Sequence, residues 1–274
     1  MNAPFDLHTG FRAPDRAQAG GLARFLHRVD GLPGIRRIHR AMRAAADLQP
    51  GQVLLDAGCG LGIETARLAA DHPEATVLGT DRNEQLLAEA AQRDADAPGN
   101  LAWHVHDLAE PGAFAAVADV VRTERVLIYQ DDLAAAVDGL LALLRPGGRL
   151  VSFELDYGGT LLPIGPFPPG LLHRVDEIMR GSLPQPWAGR RLPALLAERG
   201  LEVTAEPYSF GVDRVVWQRI VGDTLRTHAP ENAEIADWLR HHESGAELES
   251  TAAFTGVLTC ARLPQAPGDD AAGE

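Results

Sequence analysis

From Gln52 to Asp156 short apolar runs rich in β-branched residues alternate with segments whose apolar positions recur at helical spacing. That alternation is the signature of a parallel α/β sheet. The pattern predicts strands over residues 53–57, 76–80, 101–106, 119–123 and 149–155. Between them it predicts helices over 62–71, 83–94 and 131–144, the last closed by Arg145-Pro-Gly-Gly148 as a helix stop and turn. Ahead of this block, residues 16–48 carry two helical patterns parted by Gly31-Leu-Pro-Gly34, with Ile35, Ile38 and Met42 on one face. These helices are expected to pack beside the sheet.

After Asp156 the periodicity breaks. Pro163, Pro166, Pro168 and Pro169 fall close together, which neither a helix interior nor a central strand tolerates, so residues 157–169 are expected to form a loop. Helices are predicted over 170–181 and 190–199, a strand over 201–209, a helical insertion over 216–242 and a closing strand over 254–262. The first 15 residues and the last 12 are rich in Ala, Pro, Gly and Asp and are expected to be disordered. Residues 16–262 then make one α/β domain, a seven-stranded sheet of five parallel strands plus an antiparallel pair, with helices on both faces. Its N-terminal helices span 16–48, a lid region 157–189 and the insertion 216–242.

Composition narrows the function classes. A chain of 274 residues with 45% hydrophobic and 23% charged residues is ordinary for one globular domain. Its longest apolar runs, such as Leu140 to Leu144, fall far short of the ~20 residues of a membrane span. The segment Met1-Asn-Ala-Pro-Phe-Asp6 has no basic stretch leading into an apolar core, and the expected location is the cytoplasm. Cys59 and Cys260 do not make a disulfide framework, and the ten histidines show no ligand-like spacing around them. A net charge of −13 would repel a phosphate backbone, so nucleic acid is not the expected partner. A small-molecule substrate is, and a homodimer is left open.

The chemistry concentrates in Val53-Leu-Leu-Asp-Ala-Gly-Cys-Gly-Leu-Gly62, a buried strand running into three alternate glycines and then a helix. Gly58 and Gly60 permit positive φ and bring backbone close to a bound nucleoside. Ile63 stands where a dinucleotide fingerprint has its third glycine, which disfavours a nicotinamide-dependent oxidoreductase. Glu64 in the first helical turn competes with a pyrophosphate for the helix N-terminus. A ligand with an ammonium and a sulfonium in place of phosphates suits Asp56 and Glu64, and S-adenosylmethionine is such a ligand.

Asp56-Ala-Gly-Cys-Gly-Leu-Gly62 resembles the first motif of class I S-adenosylmethionine-dependent methyltransferases, in layout those of the menaquinone/ubiquinone and natural-product type. The resemblance implies a Rossmann-like fold, S-adenosylmethionine as cofactor, and cofactor contacts from Asp56, Gly58, Cys59 and Gly60, with Cys59 giving backbone only. It further implies that Asp81, followed by Arg82, receives the ribose hydroxyls. Asp107, between His106 and Leu108, would meet the adenine amino group, with Leu108 lending its backbone, and Thr123 and Glu124 would line the methyl-donor end. Leu144 to Leu150 resembles the family's turn before its fifth strand. Where amine-directed relatives carry Asn/Asp-Pro-Pro-Tyr, this chain has Arg122-Thr-Glu-Arg125. The activity implied is methyl transfer to an oxygen, nitrogen or carbon of a secondary metabolite or quinone-like compound. A non-methylating enzyme such as a cyclase on the same scaffold is the alternative.

Tyr157 and His173 flank the proline-rich loop and Tyr129 follows the fourth strand, and these three are the candidates for substrate contact and catalysis. Arg190 and Arg191 either bind an anion or solvate a helix start. Some catechol-type relatives hold magnesium with acids placed like Asp131, Asp132, Glu154 and Asp156, but the first two precede an apolar-periodic helix and read as its cap, so no metal is expected.

Overall fold

The computed structural model describes residue 11 and residues 16–97, 99–108, 114–245 and 252–265. Two helices, α1 (Arg16–Asp30) and α2 (Pro33–Ala46), precede the sheet, and Ile35, Ile38 and Met42 of α2 are buried as their spacing requires. The alternating block follows as β1 (Val53–Ala57), α3 (Ile63–Asp71), β2 (Thr76–Asp81), α4 (Glu84–Arg93), β3 (Leu101–Val105), β4 (Ala118–Glu124), α5 (Leu133–Ala142) and β5 (Leu144–Leu155). Then come α6 (Pro169–Gly181), α7 (Ala188–Ala197), β6 (Glu202–Gly211), α8 (Arg214–Trp217), α9 (Asp223–Arg226), α10 (Ala233–Ser244) and β7 (Ala253–Arg262).

The sheet order is β3-β2-β1-β4-β5-β7-β6. Pairings from β3 through β5 are parallel, and β7 runs antiparallel to both β5 and β6. Strands β1 and β4 are buried almost throughout, as parallel strands covered on both faces must be. Strand β6 is an exposed edge, which is why it tolerates Pro207, a residue without an N–H for a further neighbour. The order in which strands are added reverses between β1 and β4, with β2 and β3 laid down on one side and β5 on the other. A doubly wound sheet opens its ligand crevice at the carboxyl ends of the strands there.

One expectation changes. Residues 145–148 do not terminate a helix. Leu144 already pairs with Ala118, the next pair is Val120 with Arg149, and the four residues between bulge outward. The Gly147 N–H reaches Pro264 O, and Gly148 O accepts from Leu263, so the bulge is held by the chain after β7. The segment read as a helical insertion is built of several short helices. A π-helical turn at Gln218–Gly222 separates α8 from α9, and Asn232 starts α10 afresh by accepting from the Ile235 N–H.

The disorder expected of both termini concerns positions that, apart from Phe11 and residues 263–265, lie outside the described residues. Among the described residues no helix is long and apolar enough to cross a membrane.

Candidate active site

The turn after β1 is dictated by the packing beneath it. Gly58 (φ 75°) and Gly62 (φ 61°) lie in the left-handed region that side chains avoid. A Cβ on Gly58 would stand 2.4 Å from Val126, and one on Gly62 2.1 Å from the Trp103 ring. For Gly58 the collision is thus with the protein's own wall, not only with a ligand as its motif position implied. Gly60 (φ 57°) is the more open of the three, meeting Leu26 at 3.3 Å.

Above this turn a cavity of about 1350 Å³, counting its open mouth, lies over the carboxyl ends of β1, β2 and β4. Asp56, Gly58, Cys59, Gly60, Asp81, Arg82, His106, Asp107, Leu108 and Glu124 all line it, as do Tyr129 and Tyr157. Thr123 is fully buried in β4 and is not among the lining residues. His173 is exposed on α6, away from the cavity wall.

Asp81 is the pivot of the nucleoside side. Its Oδ2 accepts the Gly60 N–H at 2.8 Å and its Oδ1 the Asn83 N–H at 2.8 Å, locking the glycine turn to the end of β2. Burial raises its pKa, against the pull of those two N–H groups. Asn83 caps α4 through Oδ1, while its buried Nδ2 has no partner and the residue lines the cavity. An acceptor-rich carboxylate beside an unspent donor suits a ribose edge, whose hydroxyls both donate and accept. The Cys59 thiol is pushed well up by burial and by the nearby Asp56 and Asp81 charges, so it is no thiolate nucleophile.

Asp56 lines the cavity and is also bonded within the protein. Its Oδ1 accepts from Arg122 Nη1 at 2.8 Å and its Oδ2 from the Thr65 hydroxyl at 2.6 Å, all of it buried. Its charge is answered by the protein. Arg122 also pairs with Glu124, which is bound in turn by Arg125 and by His39 Nε2 at 2.9 Å. Although burial opposes ionisation, Arg125, His39 and Arg122 hold the Glu124 carboxyl well below its usual range. Arg125 adopts φ 56°, a strained conformation for a non-glycine residue, at the turn where β4 enters the cavity.

Sequence reasoning passed over Arg122, His39 and Asp30, all lining the cavity. One signal was available: Arg122 and Glu124 are charges inside an otherwise apolar central strand, where an unpaired charge is untenable. Phe11 was also missed. Its ring stacks on Tyr129 at 4.7 Å and its carbonyl accepts from Arg82, forming an aromatic wall with Phe25. Of the acids weighed as magnesium ligands, Asp132 caps α5 through the Ala134 and Ala135 N–H groups and Asp156 is bound by Arg190.

Residues 55–150 match the model of a methyltransferase domain. An uncharacterized 37.1 kDa protein in transposon Tn4556 of Streptomyces fradiae is 30% identical over 65% of this chain and 52% of its own length. The trans-aconitate 2-methyltransferase of Methylobacterium nodulans is 28% identical over 82% of this chain and 87% of its own. Against some other curated relatives, including trans-aconitate 2-methyltransferases of Azoarcus and Deinococcus radiodurans, the matched chain spans about half of their length or less, 43% and 41%. A solved S-adenosylmethionine-dependent methyltransferase from Geobacter sulfurreducens, in complex with S-adenosylhomocysteine, shares the fold with a TM-score of 0.54 at 20% identity, over 88% of this chain and 98% of that one. The protein therefore has a methyltransferase domain. In sheet order and in the glycine turn after β1 it is similar to S-adenosylmethionine-dependent methyltransferases of class I.

Proposed function

We propose that this protein transfers a methyl group from S-adenosylmethionine to an oxygen, nitrogen or carbon atom of a small molecule. The observation that carries this reading is the Asp81 carboxylate, fastened to the Gly60 N–H on the wall of the cavity that the glycine turn also lines. Asp81 and Asn83 would hold the ribose, and Asp107 with the Leu108 backbone the adenine. When bound, the cofactor supplies an activated methyl on a sulfonium.

The chain's own part is mostly positioning. Aligning donor and acceptor at near-attack distance in a closed site is worth effective molarities on the order of 10⁵ M or more. Tyr129, Phe11 and Phe25 give the acceptor an aromatic surface, and the Tyr157 ring, packed edge-on against Phe254, continues the wall beneath the proline-rich loop. The Tyr157 hydroxyl is kept protonated by burial and so presents a hydrogen-bond donor to the cavity. The same reading has the protein act in the cytoplasm, alone or as a homodimer, on a secondary metabolite or quinone-like compound.

The test is a screen of small molecules with a radiolabelled methyl donor, scored both for labelled product and for S-adenosylhomocysteine. Methylated product with equimolar S-adenosylhomocysteine is expected. Conversion of a substrate without consumption of the donor would replace methyl transfer by a cyclase-type activity.

A further inference from the structure

Asp81 ends β2 and Arg125 follows β4, and in the sheet β1 lies between those two strands, so the cavity runs over the strand ends from the one residue to the other. Past Arg125 its wall continues through Leu155 at the end of β5 and then Tyr157. The neighbours of Arg125 on that wall, Val126, Leu155 and Tyr157, carry no charge.

The backbone at Arg125 is fixed from both sides. Its N–H donates to Phe153 O at 2.8 Å, and the next two N–H groups, of Val126 and Leu127, donate to Glu154 Oε1 at 3.0 and 3.1 Å. Held in this way the chain turns through φ 56° at a residue with a long side chain, where a glycine would be relaxed. Strain of this kind persists where the surroundings over-determine it, and it gathers at ligand sites.

The guanidinium is only partly used. Nε and Nη2 both meet Glu124 Oε1, at 3.0 and 2.8 Å, from one edge of the fork. The Nη1 amino group and the outer Nη2 hydrogen have no partner among the described residues. With the side chain 21% exposed on the cavity wall, these donors face the cavity. A planar fork bonded along one edge offers its other edge as two parallel N–H donors at the spacing of carboxylate oxygens. The Tyr157 hydroxyl adds a donor on the same wall: burial keeps it protonated, although the Arg125 charge works the other way, and it makes no hydrogen bond among the described residues.

A neutral acceptor would leave the outer edge of this guanidinium unanswered, and an ammonium would be repelled by it. A phosphate dianion asks for more positive charge than one guanidinium already shared with Glu124 supplies. A carboxylate matches both the single charge and the two-pronged geometry.

We propose that the methyl acceptor carries a carboxylate, received by the outer edge of the Arg125 guanidinium with the Tyr157 hydroxyl as a further donor. This rests on the methyl-transfer reading above and narrows its substrates to organic acids, whose body lies against the aromatic surface of Phe11 and Tyr129.

The test is calorimetric titration of the full chain, saturated with S-adenosylhomocysteine, with benzoate, phenylacetate and cinnamate and with the primary amide of each. Acid and amide share a shape and differ in charge. At least one acid should bind about tenfold or more tightly than its amide. Arg125→Gln should bring that acid down to the level of its amide, with amide affinity kept within about threefold, and Arg125→Lys should retain part of the preference. Tyr157→Phe should weaken the acid more than the amide. The ratio of acid to amide affinity reports on charge recognition, and a general loosening of the site would lower both. A wild type in which no acid outbinds its amide, or an Arg125→Gln variant that keeps the full preference, overturns the carboxylate site. The wild-type comparison needs no variant to fold. If S-adenosylhomocysteine binds and the amides match the acids, the carboxylate assignment alone falls. If S-adenosylhomocysteine does not bind, the cofactor reading falls and takes this proposal with it.

Discussion

Arg122 Nη1 lies 2.8 Å from Asp56 Oδ1, a buried ion pair that ties β4 to its neighbour β1 directly beneath the ligand cavity. Both side chains are almost wholly enclosed, at 5% and 2% exposure. Removing one partner leaves a bare charge in the core. Arg122→Met is expected to destabilise the fold by about 3–5 kcal/mol, and Asp56→Asn in the same chain to restore part of that. Urea denaturation of the two single variants and the double variant checks this. Simple additivity of the single losses would show that the pair is not coupled.

Asp81 joins ligand binding to loop geometry, because each of its oxygens already accepts a backbone N–H. Asp81→Asn keeps one acceptor oxygen and loses the charge. Affinity for S-adenosylmethionine should fall by about 1.5–3 kcal/mol, the worth of a hydrogen bond to a charged group, and the melting temperature should fall too, because the amide nitrogen can no longer accept one of the two backbone N–H groups. Calorimetry that finds undiminished affinity removes Asp81 from the ribose site.

Gly62→Ala should act on the protein before it acts on any ligand. The new methyl would lie 2.1 Å from Trp103 in a left-handed conformation, and a loss of about 1–3 kcal/mol in unfolding free energy is expected. Gly60→Val is strained as well at φ 57°, but its Cβ would meet the flexible Leu26 side chain at 3.3 Å and no ring, and the variant should abolish cofactor binding. Comparing thermal denaturation and ligand titration of the two variants separates the roles, and identical behaviour of both would contradict it.

Glu154, buried at the end of β5, is pushed up to about 7 by burial, against the Leu127 and Val126 N–H groups that its Oε1 accepts. Its other oxygen has no partner. The native state therefore holds a proton that the unfolded chain, titrating near 4.5, releases earlier. Stability from this group is complete below pH 4.5 and is lost as pH rises to about 7, a fall of about 3 kcal/mol. Glu154→Gln should flatten that decline. Denaturation midpoints of both proteins across this range provide the check, and parallel curves would exclude Glu154 as its source.

His173 and Tyr157 part company in the structure. His173 is exposed on α6, so His173→Ala should leave stability within about 0.5 kcal/mol and turnover unchanged. Tyr157 is buried at the cavity wall, and Tyr157→Phe should lower turnover or acceptor affinity without altering cofactor binding. Steady-state kinetics on the first acceptor found decides the matter, and a loss confined to His173→Ala would reverse the assignment.

Much of the sheet was legible because its signals are local. Val53–Ala57 matches the predicted first strand at both ends, since a continuous apolar run bounded by a turn and a glycine leaves little latitude. The bulge at 145–148 was not legible, because what holds it is the chain after β7, more than a hundred residues later. The breaks within the helical insertion were not legible either, because apolar periodicity does not register a π-turn.

By itself the sequence determined the alternating α/β order, the glycine turn after β1 and the acidic residues that end β2 and follow β3, all properties of contiguous residues. Only the tertiary structure decided which charges face a ligand. Asp56 of the glycine motif is paired with Arg122, 66 positions away, and His39, spaced as an ordinary residue of its helix, meets Glu124, 85 positions away. Charge pairing is set by distance in space, and long side chains from separate elements find one another only once the sheet and its helices have packed.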